Sequence, residues 1–313
     1  MTLQHVATTT SSASGNRSWV GELDFLWLEV TTKCNLQCVH CYAESGPQLP
    51  LIQGMTYDRW VSVLKDGFAL GCRKVQFIGG EPTLYPPLMD LVKDAQHMGY
   101  EFIEVFTNGT YLKDEMLELF RDCNVHLAFS AYSSEADVHD RITMRQGSHA
   151  RTIENIRKAI DYGIPVRAGI IEMPENSEGL EATKALLREI GVQSIGTDRL
   201  RGIGRGNVTL QATDPMRELC GACWRGQLAI DSQGDVFPCI FSRFHKVGNV
   251  VHGLRYALEN DELHKFRRDV RDMDEIQAKC GPDDCNPYCK PNCHPYEKCN
   301  PCNPKSAFCN PLY

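Results

Sequence analysis

Six strand-like runs alternate with five helix-like segments between residues 24 and 200, and this order constrains the fold more than any other feature. The strand-like runs are short and apolar, whereas the segments between them repeat apolar residues with a helical period. Strands that alternate with helices favour a parallel sheet with right-handed crossovers, so six such units predict an α/β fold, a partial (β/α)6 barrel. The predicted strands are Phe25–Thr31, Lys74–Ile78, Phe102–Thr107, His126–Ala131, Val166–Glu172 and Gln193–Thr197. The predicted helices are Tyr57–Leu70, Pro87–Met98, Lys113–Phe120, Thr152–Tyr162 and Leu180–Ile190.

A triplet of cysteines, Cys34, Cys38 and Cys41, follows the first predicted strand. Three thiolates at the spacing C-x3-C-x2-C can bind three irons of a [4Fe–4S] cluster and leave the fourth iron open to a small molecule. Half of a zinc knuckle and three unrelated buried cysteines are the alternatives, but zinc motifs usually contain two C-x2-C pairs and no second pair lies nearby. A disulfide is disfavoured in a chain without a signal peptide. The triplet therefore predicts an iron–sulfur site.

The second predicted strand ends in the run Gly79, Gly80, Glu81 and Pro82. Two glycines let a ligand approach the backbone closely, and a glutamate can accept hydrogen bonds from an ammonium group. In barrels of parallel strands the reactive groups gather at the carboxyl ends of the strands. We therefore expect this run and the cysteine triplet to belong to one ligand site.

The cysteine triplet, followed one βα unit later by Gly-Gly-Glu-Pro, resembles the radical S-adenosylmethionine (SAM) superfamily. The resemblance implies that S-adenosylmethionine and a [4Fe–4S] cluster on Cys34, Cys38 and Cys41 are the cofactors. It also implies that Gly-Gly-Glu-Pro binds the methionyl amine and that an arginine of the Arg- and Gly-rich turn after the sixth strand reaches the cofactor. For Ser130 a helix cap or a satisfied turn hydroxyl is an equal alternative. The cofactor-binding residues that the resemblance implies are Tyr42, Gly79, Gly80, Glu81, Pro82, Asn108, Ser130, Arg141 and Arg205.

Ten of the fifteen cysteines lie within residues 214–313. Cys220, Cys223 and Cys239 form a first group, and a predicted β-hairpin at residues 230–238 would return Cys239 towards the other two. A second group lies in a Pro- and Asn-rich segment with too few apolar residues to form a core, so bound metal would have to order it. Its members are Cys280, Cys285, Cys289, Cys293, Cys299, Cys302 and Cys309.

This cysteine-rich region resembles the SPASM extension, which implies one or two auxiliary iron–sulfur clusters. From Cys289 the spacings run x3, x5, x2, the reverse of the usual order in such extensions, so the ligand assignment stays open, and a zinc ribbon is the alternative. Two four-cysteine clusters would use eight of the ten thiols. A spare thiol could donate a hydrogen atom to the substrate, and Cys220 and Cys223 are the candidates for this catalytic role.

The predicted organisation is a disordered tail at residues 1–20, a radical SAM core at 21–213 and a cysteine-rich, loop-dominated extension at 214–313. The tail is rich in Thr, Ser and Ala and lacks the features of a signal peptide, and no apolar run is long enough to span a bilayer. A net charge of −7 argues against nucleic-acid binding. We therefore expect a cytoplasmic protein with no nucleic-acid or membrane partner.

The resemblance implies that a 5′-deoxyadenosyl radical takes a hydrogen atom from a substrate C–H bond, with the electron supplied by a flavodoxin- or ferredoxin-type reductant. Hydrogen return from a thiol would give epimerisation, whereas electron loss to an auxiliary cluster would give an oxidised or crosslinked product.

We expect an aminoglycoside-like small molecule of antibiotic biosynthesis as the substrate, as in epimerases such as neomycin C epimerase. The reason is that about twenty residues precede the first strand, which leaves no room for a leader-binding domain. One alternative is a peptide maturase that crosslinks, epimerises or oxidises a ribosomal peptide. An alternative of another class is an iron–sulfur electron-transfer or scaffold protein.

Overall fold

The computed structural model describes residues 22–52 and 54–279, with side chains described up to residue 273. The predicted tail at residues 1–20 lies outside the described residues. The second cysteine group also lies outside them, so its ligand roles stay predictions: Cys280, Cys285, Cys289, Cys293, Cys299, Cys302 and Cys309.

One sheet runs through the described part of the chain. Its strands are β1 (Phe25–Thr31), β2 (Lys74–Gly79), β3 (Phe102–Thr107), β4 (His126–Ser130), β5 (Val166–Glu172), β6 (Ser194–Arg199), β7 (Gln227–Ile230), β8 (Asp235–Phe237) and β9 (Gly248–Asn249). Their order is β6-β5-β4-β3-β2-β1-β7-β8-β9, and β1 to β6 pair in parallel. This arrangement confirms the predicted α/β partial barrel, and the predicted strand limits hold within two residues.

Helices connect the parallel strands. The α-helices of the described residues are α1 (Tyr57–Ala69), α2 (Leu88–Met98), α3 (Asp114–Asp122), α4 (Ala136–Thr143), α5 (Ser148–Asp161), α6 (Leu180–Glu189), α7 (Gly206–Leu210), α8 (Leu254–Leu258) and α9 (Asp261–Lys279). The five predicted helices are present, with ends shifted by a few residues. The prediction missed α4, whose eight residues are too few to show a helical period. Within the described residues no helix has the length and apolar character needed to cross a bilayer.

The two faces of the parallel strands differ in chemistry. Leu26, Leu28 and Phe77 are fully buried on one face and belong to the main apolar core, which the surrounding helices complete. Side chains alternate along a strand, so the residues between them point to the other face, which we call the barrel interior. The barrel interior carries the polar side chains Glu29, Gln76, Glu104, Arg167 and Asp198.

The first part of the extension continues the sheet beyond β1. β7 pairs in parallel with β1, from Phe25 opposite Gln227 to Leu28 opposite Ile230. β8 returns antiparallel to β7 across a tight turn in which Gly234 has a φ of +84°, a conformation that favours glycine. The predicted hairpin is therefore present. Its pairing with β1 was not predicted, because a local pattern does not specify the partner of a strand.

A buried ion pair occupies the amino-terminal half of the barrel interior. The Arg167 guanidinium donates to both oxygens of Glu104, with Nε–Oε1 and Nη2–Oε2 distances of 2.7 Å. The side-chain amide of Gln76 donates to the same carboxylate. Glu104 is only 2% exposed, so water cannot replace the arginine. These contacts join β2, β3 and β5 across the interior.

We expect the substitution Arg167→Met to lower the free energy of unfolding by about 3 kcal/mol, because it leaves the buried Glu104 charge unpaired. Urea unfolding of the purified protein measures this value. Lys265→Met is the matched control, because it breaks an exposed pair with Asp269 and should leave the free energy of unfolding nearly unchanged. Equal effects of the two substitutions would contradict a structural role for the buried pair.

Candidate cofactor and cluster site

The cysteine triplet lies on a loop that begins where β1 ends and is held by backbone hydrogen bonds. The Gln37 amide donates to the Thr143 carbonyl at 3.1 Å, and the Val39 amide donates to the Ile142 carbonyl at 3.0 Å. The last turn of α4 therefore supports the loop from one side. Arg145, just after this turn, supports it too, with its Nη1 donating at 2.8 Å to a loop carbonyl.

Cys34 is the most enclosed thiol of the triplet. Its sulfur accepts from the Leu36 amide at 3.3 Å and from the side-chain amide of Asn108 at 3.6 Å. Burial, together with the nearby Glu81 carboxylate, raises the pKa of Cys34 to about 12. Metal ligation requires the thiolate, so binding of iron at this position releases the proton.

Gly79 and Gly80 lie where the end of β2 meets the start of the cysteine loop, and their expected role in binding the cofactor stays a prediction. A Cβ on Gly80 would lie 2.3 Å from the Lys33 carbonyl oxygen, and one on Gly79 would lie 2.4 Å from the Thr31 carbonyl oxygen. Gly79 also has a φ of +135°. The two glycines therefore let the end of β2 touch the start of the cysteine loop, and the close approach that they permit is one of backbone to backbone.

The Glu81 side chain accepts four hydrogen bonds from residues at the ends of β2 and β3. Its Oε1 accepts from the Thr83 amide at 3.1 Å and from the hydroxyls of Thr83 and Thr107 at 2.7 Å, and its Oε2 accepts from the Asn108 amide at 2.7 Å. Glu81 is fully buried, and burial raises its pKa. Three of these hydrogen bonds end on Oε1 and one on Oε2. Glu81 therefore joins the ends of β2 and β3, and its expected role in binding the methionyl amine stays a prediction.

The structure places Asn108 against the cysteine loop. Its Nδ2 donates to Asn35 Oδ1 at 2.9 Å and lies near the Cys34 sulfur, while its Oδ1 accepts from the Thr110 amide at 2.9 Å. The side chain is thereby fixed in one orientation. A role near the cofactor stays a prediction that this position supports.

Three other predicted residues lie in distinct places. Pro82 is buried at the start of a short 3-10 helix, where its fixed φ suits the turn. Ser130 ends β4 beside the buried phenol of Tyr132. Arg141 is exposed on α4, and its side chain makes no hydrogen bond or ion pair with a described residue. The cofactor roles of Ser130 and Arg141 stay predictions.

Arg205 hydrogen-bonds to backbone carbonyls of the cysteine loop and so holds the loop in place. Its Nε donates to the Cys38 carbonyl at 2.7 Å and its Nη2 to the Ser45 carbonyl at 2.8 Å, while its amide donates to the Cys41 carbonyl at 3.1 Å. Gly204 lies so close that a Cβ there would be 2.5 Å from the same Cys41 oxygen. Arg205 thus fixes the course of the cysteine loop, and its expected contact with the cofactor stays a prediction.

The first cysteine group of the extension is brought together as predicted. The Cys223 and Cys239 sulfurs are 2.9 Å apart, and the Cys223 thiol donates to Cys220, which lowers the pKa of Cys220. Cys223 and Cys239 are buried, and they pack with Trp27, a residue of the barrel interior on β1. We call these three cysteines the auxiliary trio.

The turn after β6 ties the barrel to the auxiliary trio. Arg201 donates to the Asp198 carboxylate at 2.6 Å and to the Glu218 carbonyl. Arg199 donates to the Glu218 carboxylate at 2.9 Å. Glu218 lies two residues before Cys220, so both arginines fix the start of the extension. The extension therefore contacts β1 through β7 and the end of β6 through Glu218, which closes the gap between these two strands.

Three residues where the extension contacts the barrel were not predicted from the sequence: Glu29, Phe241 and Arg243. Arg243 forms an ion pair with Glu29, and the Phe241 ring packs edge-on against Tyr42 with centroids 5.4 Å apart. Glu29 offered a signal, because a carboxylate inside an otherwise apolar strand requires a buried partner.

A row of aromatic and imidazole rings begins between Cys38 and Cys41. His40 packs on Tyr132 with centroids 4.6 Å apart, Tyr132 lies 5.5 Å from His139, and His139 lies 5.4 Å from His149. The Tyr132 amide donates to His139 Nδ1 at 3.3 Å. Burial, with the nearby His149, lowers the pKa of His139 to about 4, so this side chain is neutral near neutral pH.

The residues present fit an iron–sulfur cluster with an open iron. Three thiols, of Cys34, Cys38 and Cys41, lie on one fixed loop, and the other two thiols add to burial in raising the pKa of Cys38. Among the described residues no group of His, Cys, Asp and Glu is arranged to hold a single metal ion. In a cubane cluster each of the three cysteines would bind its own iron.

We expect Gly80→Ala to prevent loading of the cluster on the triplet, because the added methyl group collides with the Lys33 carbonyl and displaces the loop. An iron assay after anaerobic reconstitution should find roughly four irons fewer per chain. Gly179→Ala is the control: its φ is −92°, and its Cβ would meet nothing closer than 4.0 Å. Wild-type iron content in Gly80→Ala would show that the contact does not position the loop.

We expect His139 to make the protein less stable in mild acid. The folded pKa of about 4 lies below the ordinary value of 6.5, so the unfolded chain binds the proton more readily, and stability falls as pH drops from about 6.5 towards 4. His139→Asn keeps an acceptor for the Tyr132 amide but cannot titrate. Anaerobic urea unfolding at pH 7.5 and 5.0 should show a loss about 1 to 2 kcal/mol smaller in the variant. Equal losses would contradict this role.

Comparison with protein-family models gives two matches. Residues 28–187 match the radical SAM superfamily. Residues 220–303 match SPASM, an iron–sulfur cluster-binding domain. The first match covers the strands and loops that carry the triplet, and the second begins at Cys220 of the auxiliary trio.

Two relatives match the core of this chain, and the match to one of them covers a longer part of the chain. The antilisterial bacteriocin subtilosin biosynthesis protein AlbA of Bacillus subtilis (strain 168) is 27% identical over 273 residues, with 76% of this chain and 60% of AlbA covered. A probable GTP 3′,8-cyclase of Saccharolobus solfataricus is 29% identical over 202 residues, with 63% of each chain covered. This chain thus spans about three fifths of the length of these relatives.

Solved structures show the same fold. Streptococcus suis SuiB bound to S-adenosylmethionine superposes with a TM-score of 0.66 at 15% identity, over 81% of this chain and 68% of SuiB. The anSMEcpe structure with AdoMet and the Cp18Cys peptide gives 0.63 at 16% identity, over 83% and 86%. The expected cofactors, S-adenosylmethionine and [4Fe–4S] clusters that include an auxiliary one, are confirmed with the family. The chain belongs to the radical SAM superfamily and carries a SPASM domain.

Proposed function

We propose that this radical SAM enzyme modifies a peptide, and that the modification oxidises or crosslinks it. The likeness to AlbA carries the proposal, because it covers 76% of this chain and so extends beyond the core match of residues 28–187. The likeness to the GTP 3′,8-cyclase covers a smaller share, 63%. The relative that resembles this chain over more of its length is thus named for the biosynthesis of a bacteriocin.

The fold is compatible with a peptide substrate. SuiB has been crystallised with its precursor peptide SuiA, and its structure in that complex superposes on this chain with a TM-score of 0.65 over 78% of its length. The comparisons do not support the expected aminoglycoside substrate, and the peptide alternative fits them better. An enzyme that acts on an aminoglycoside therefore becomes an outcome of the test rather than the proposal.

The protein's own residues would hold the cofactors, enclose the substrate and orient it. When bound, the cofactors supply a 5′-deoxyadenosyl radical that takes a hydrogen atom from a substrate carbon. The cysteine loop lies at the carboxyl end of β1, and the pair of Glu104 and Arg167 blocks the opposite half of the interior. Cys223 and Cys239 of the auxiliary trio pack with Trp27, whose side chain faces the barrel interior. A peptide segment would therefore enter at the carboxyl end of the strands.

The auxiliary trio favours oxidation over epimerisation. A thiolate that binds iron has no S–H hydrogen to donate, and Cys220 and Cys223 lie together with Cys239 as a ligand group would. Both hydrogen-donor candidates would then be cluster ligands. We therefore assign them to the auxiliary cluster, which can accept an electron from the substrate.

The test offers the enzyme three classes of substrate and measures which class it converts. The reconstituted enzyme would be incubated anaerobically with S-adenosylmethionine and dithionite in heavy water, with aminoglycosides, GTP or peptides encoded beside its gene. Mass spectrometry should show a peptide that loses two hydrogens for each modification, with 5′-deoxyadenosine formed in step. Replacement of Cys34, Cys38 and Cys41 by Ala is the control and should abolish both products.

Other results would overturn the proposal in separate ways. A peptide that gains one deuterium without other mass change would make the enzyme an epimerase and would return a donor role to a thiol. Conversion of an aminoglycoside or of GTP, with no change in any peptide, would refute the peptide substrate.

A further inference from the structure

An ion pair joins the extension to the interior of the barrel. Arg243, four residues after Cys239, pairs through Nη2 with Oε2 of Glu29 on β1. The Glu29 side chain is 6% exposed and the Arg243 side chain 29%. The two residues are 214 positions apart, so the pair forms only when the extension is seated on the core.

Tyr42 is held by both members of this pair. The Arg243 Cζ lies 5.5 Å from the centroid of the Tyr42 ring, and Phe241 packs on the ring edge-on at 5.4 Å. The hydroxyl lies beside the Glu29 carboxylate. Three neighbours therefore fix the position of Tyr42, and two of them come from the extension.

Tyr42 follows Cys41 directly, so its position determines the course of the backbone at the third cysteine. The carbonyl of Cys41 is fixed from the other side by Arg205. The loop at Cys41 is thus clamped between the turn after β6 and the Tyr42 ring. A displacement of Tyr42 would move Cys41, one of the three cysteines expected to bind the core cluster.

Three polar atoms of this contact are buried and incompletely hydrogen-bonded. Glu29 Oε1, the Tyr42 hydroxyl and Arg243 Nε are each buried without a hydrogen bond of normal geometry among the described residues. Such groups cost free energy, and an apolar pair of similar volume would often be as stable as a buried ion pair. An ion pair in this place is therefore not explained by its contribution to stability.

We propose that Glu29 and Arg243 are positioning residues that hold Tyr42, and through it Cys41, so that the seating of the extension determines how S-adenosylmethionine binds at the core cluster. The inference rests on membership of the radical SAM superfamily and does not depend on a peptide substrate. Arginine suits the role because its planar guanidinium can pair with a carboxylate and pack on an aromatic face at once, whereas lysine presents a point charge.

The experiment separates positioning from folding. The double variant Glu29→Met with Arg243→Met replaces the charged pair by an apolar pair of similar volume, and Arg243→Lys keeps the charge but loses the planar contact. Arg255→Met is the matched control, because Arg255 pairs with Glu259 on the surface, where both side chains are about 70% exposed (71% and 68%). Each reconstituted protein would be examined for thermal unfolding, for the dissociation constant of S-adenosylmethionine and for its EPR spectrum.

We expect the double variant to unfold within a few degrees of the wild type but to bind S-adenosylmethionine about 10- to 100-fold more weakly, as when a residue that orients a metal ligand is lost. The change that S-adenosylmethionine causes in the EPR spectrum of the reduced cluster should shrink with it. Arg243→Lys should show the same changes in smaller measure, and Arg255→Met none.

Two results would overturn the proposal. A double variant with the wild-type dissociation constant and the wild-type spectral change would show that the pair has a structural role alone. If the double variant does not fold, Arg243→Lys decides, and unaltered binding of S-adenosylmethionine in that variant refutes the positioning role.

Discussion

The end of β2 touches the cysteine loop at backbone distance, and the arrangement of the core site depends on this contact. The Gly80 amide donates to the Thr31 carbonyl at 2.7 Å, and the Glu81 amide donates to the Lys33 carbonyl at 2.8 Å. No Cβ fits at Gly80, so glycine is the residue that permits it. The Glu81 carboxylate then extends the contact to the end of β3, where it accepts from the Asn108 amide. Three strand ends and the loop therefore form one rigid unit.

The extension completes the barrel as well as carrying cysteines. β7 pairs with β1, and Arg201 at the end of β6 binds the Glu218 carbonyl, so the extension bridges the two edges that six strands leave apart. The Arg201 guanidinium also lies over the Phe241 ring, with 4.8 Å from Cζ to the centroid. The cysteine triplet and the auxiliary trio thus border the same barrel interior. This proximity is what a reaction needs when one centre removes hydrogen and another accepts an electron.

The sequence was sufficient for the fold and the family, because their signals are local. Apolar runs bounded by turns define β1 to β6, and the order of the triplet and Gly-Gly-Glu-Pro indicates the superfamily. The directions of the Glu81 and Arg205 side chains were not predictable, since both bond to residues far along the chain. Arg205 binds the Cys38 carbonyl across 167 positions. The same reason explains why the pairing of β7 with β1 was missed, although Glu29 inside an apolar strand signalled a buried partner.

The central claim is that the cysteine triplet and the auxiliary trio bind two separate iron–sulfur clusters, which have different roles in the reaction. Its most direct test compares two variants by iron content and by formation of 5′-deoxyadenosine: Cys34, Cys38 and Cys41 replaced by Ala in one, and Cys220, Cys223 and Cys239 replaced by Ala in the other. The account predicts that the first variant loses part of its iron and all cleavage of S-adenosylmethionine. The second should also lose part of its iron but still cleave S-adenosylmethionine, with no substrate converted. Continued cleavage in the first variant, or full iron content in the second, would contradict it.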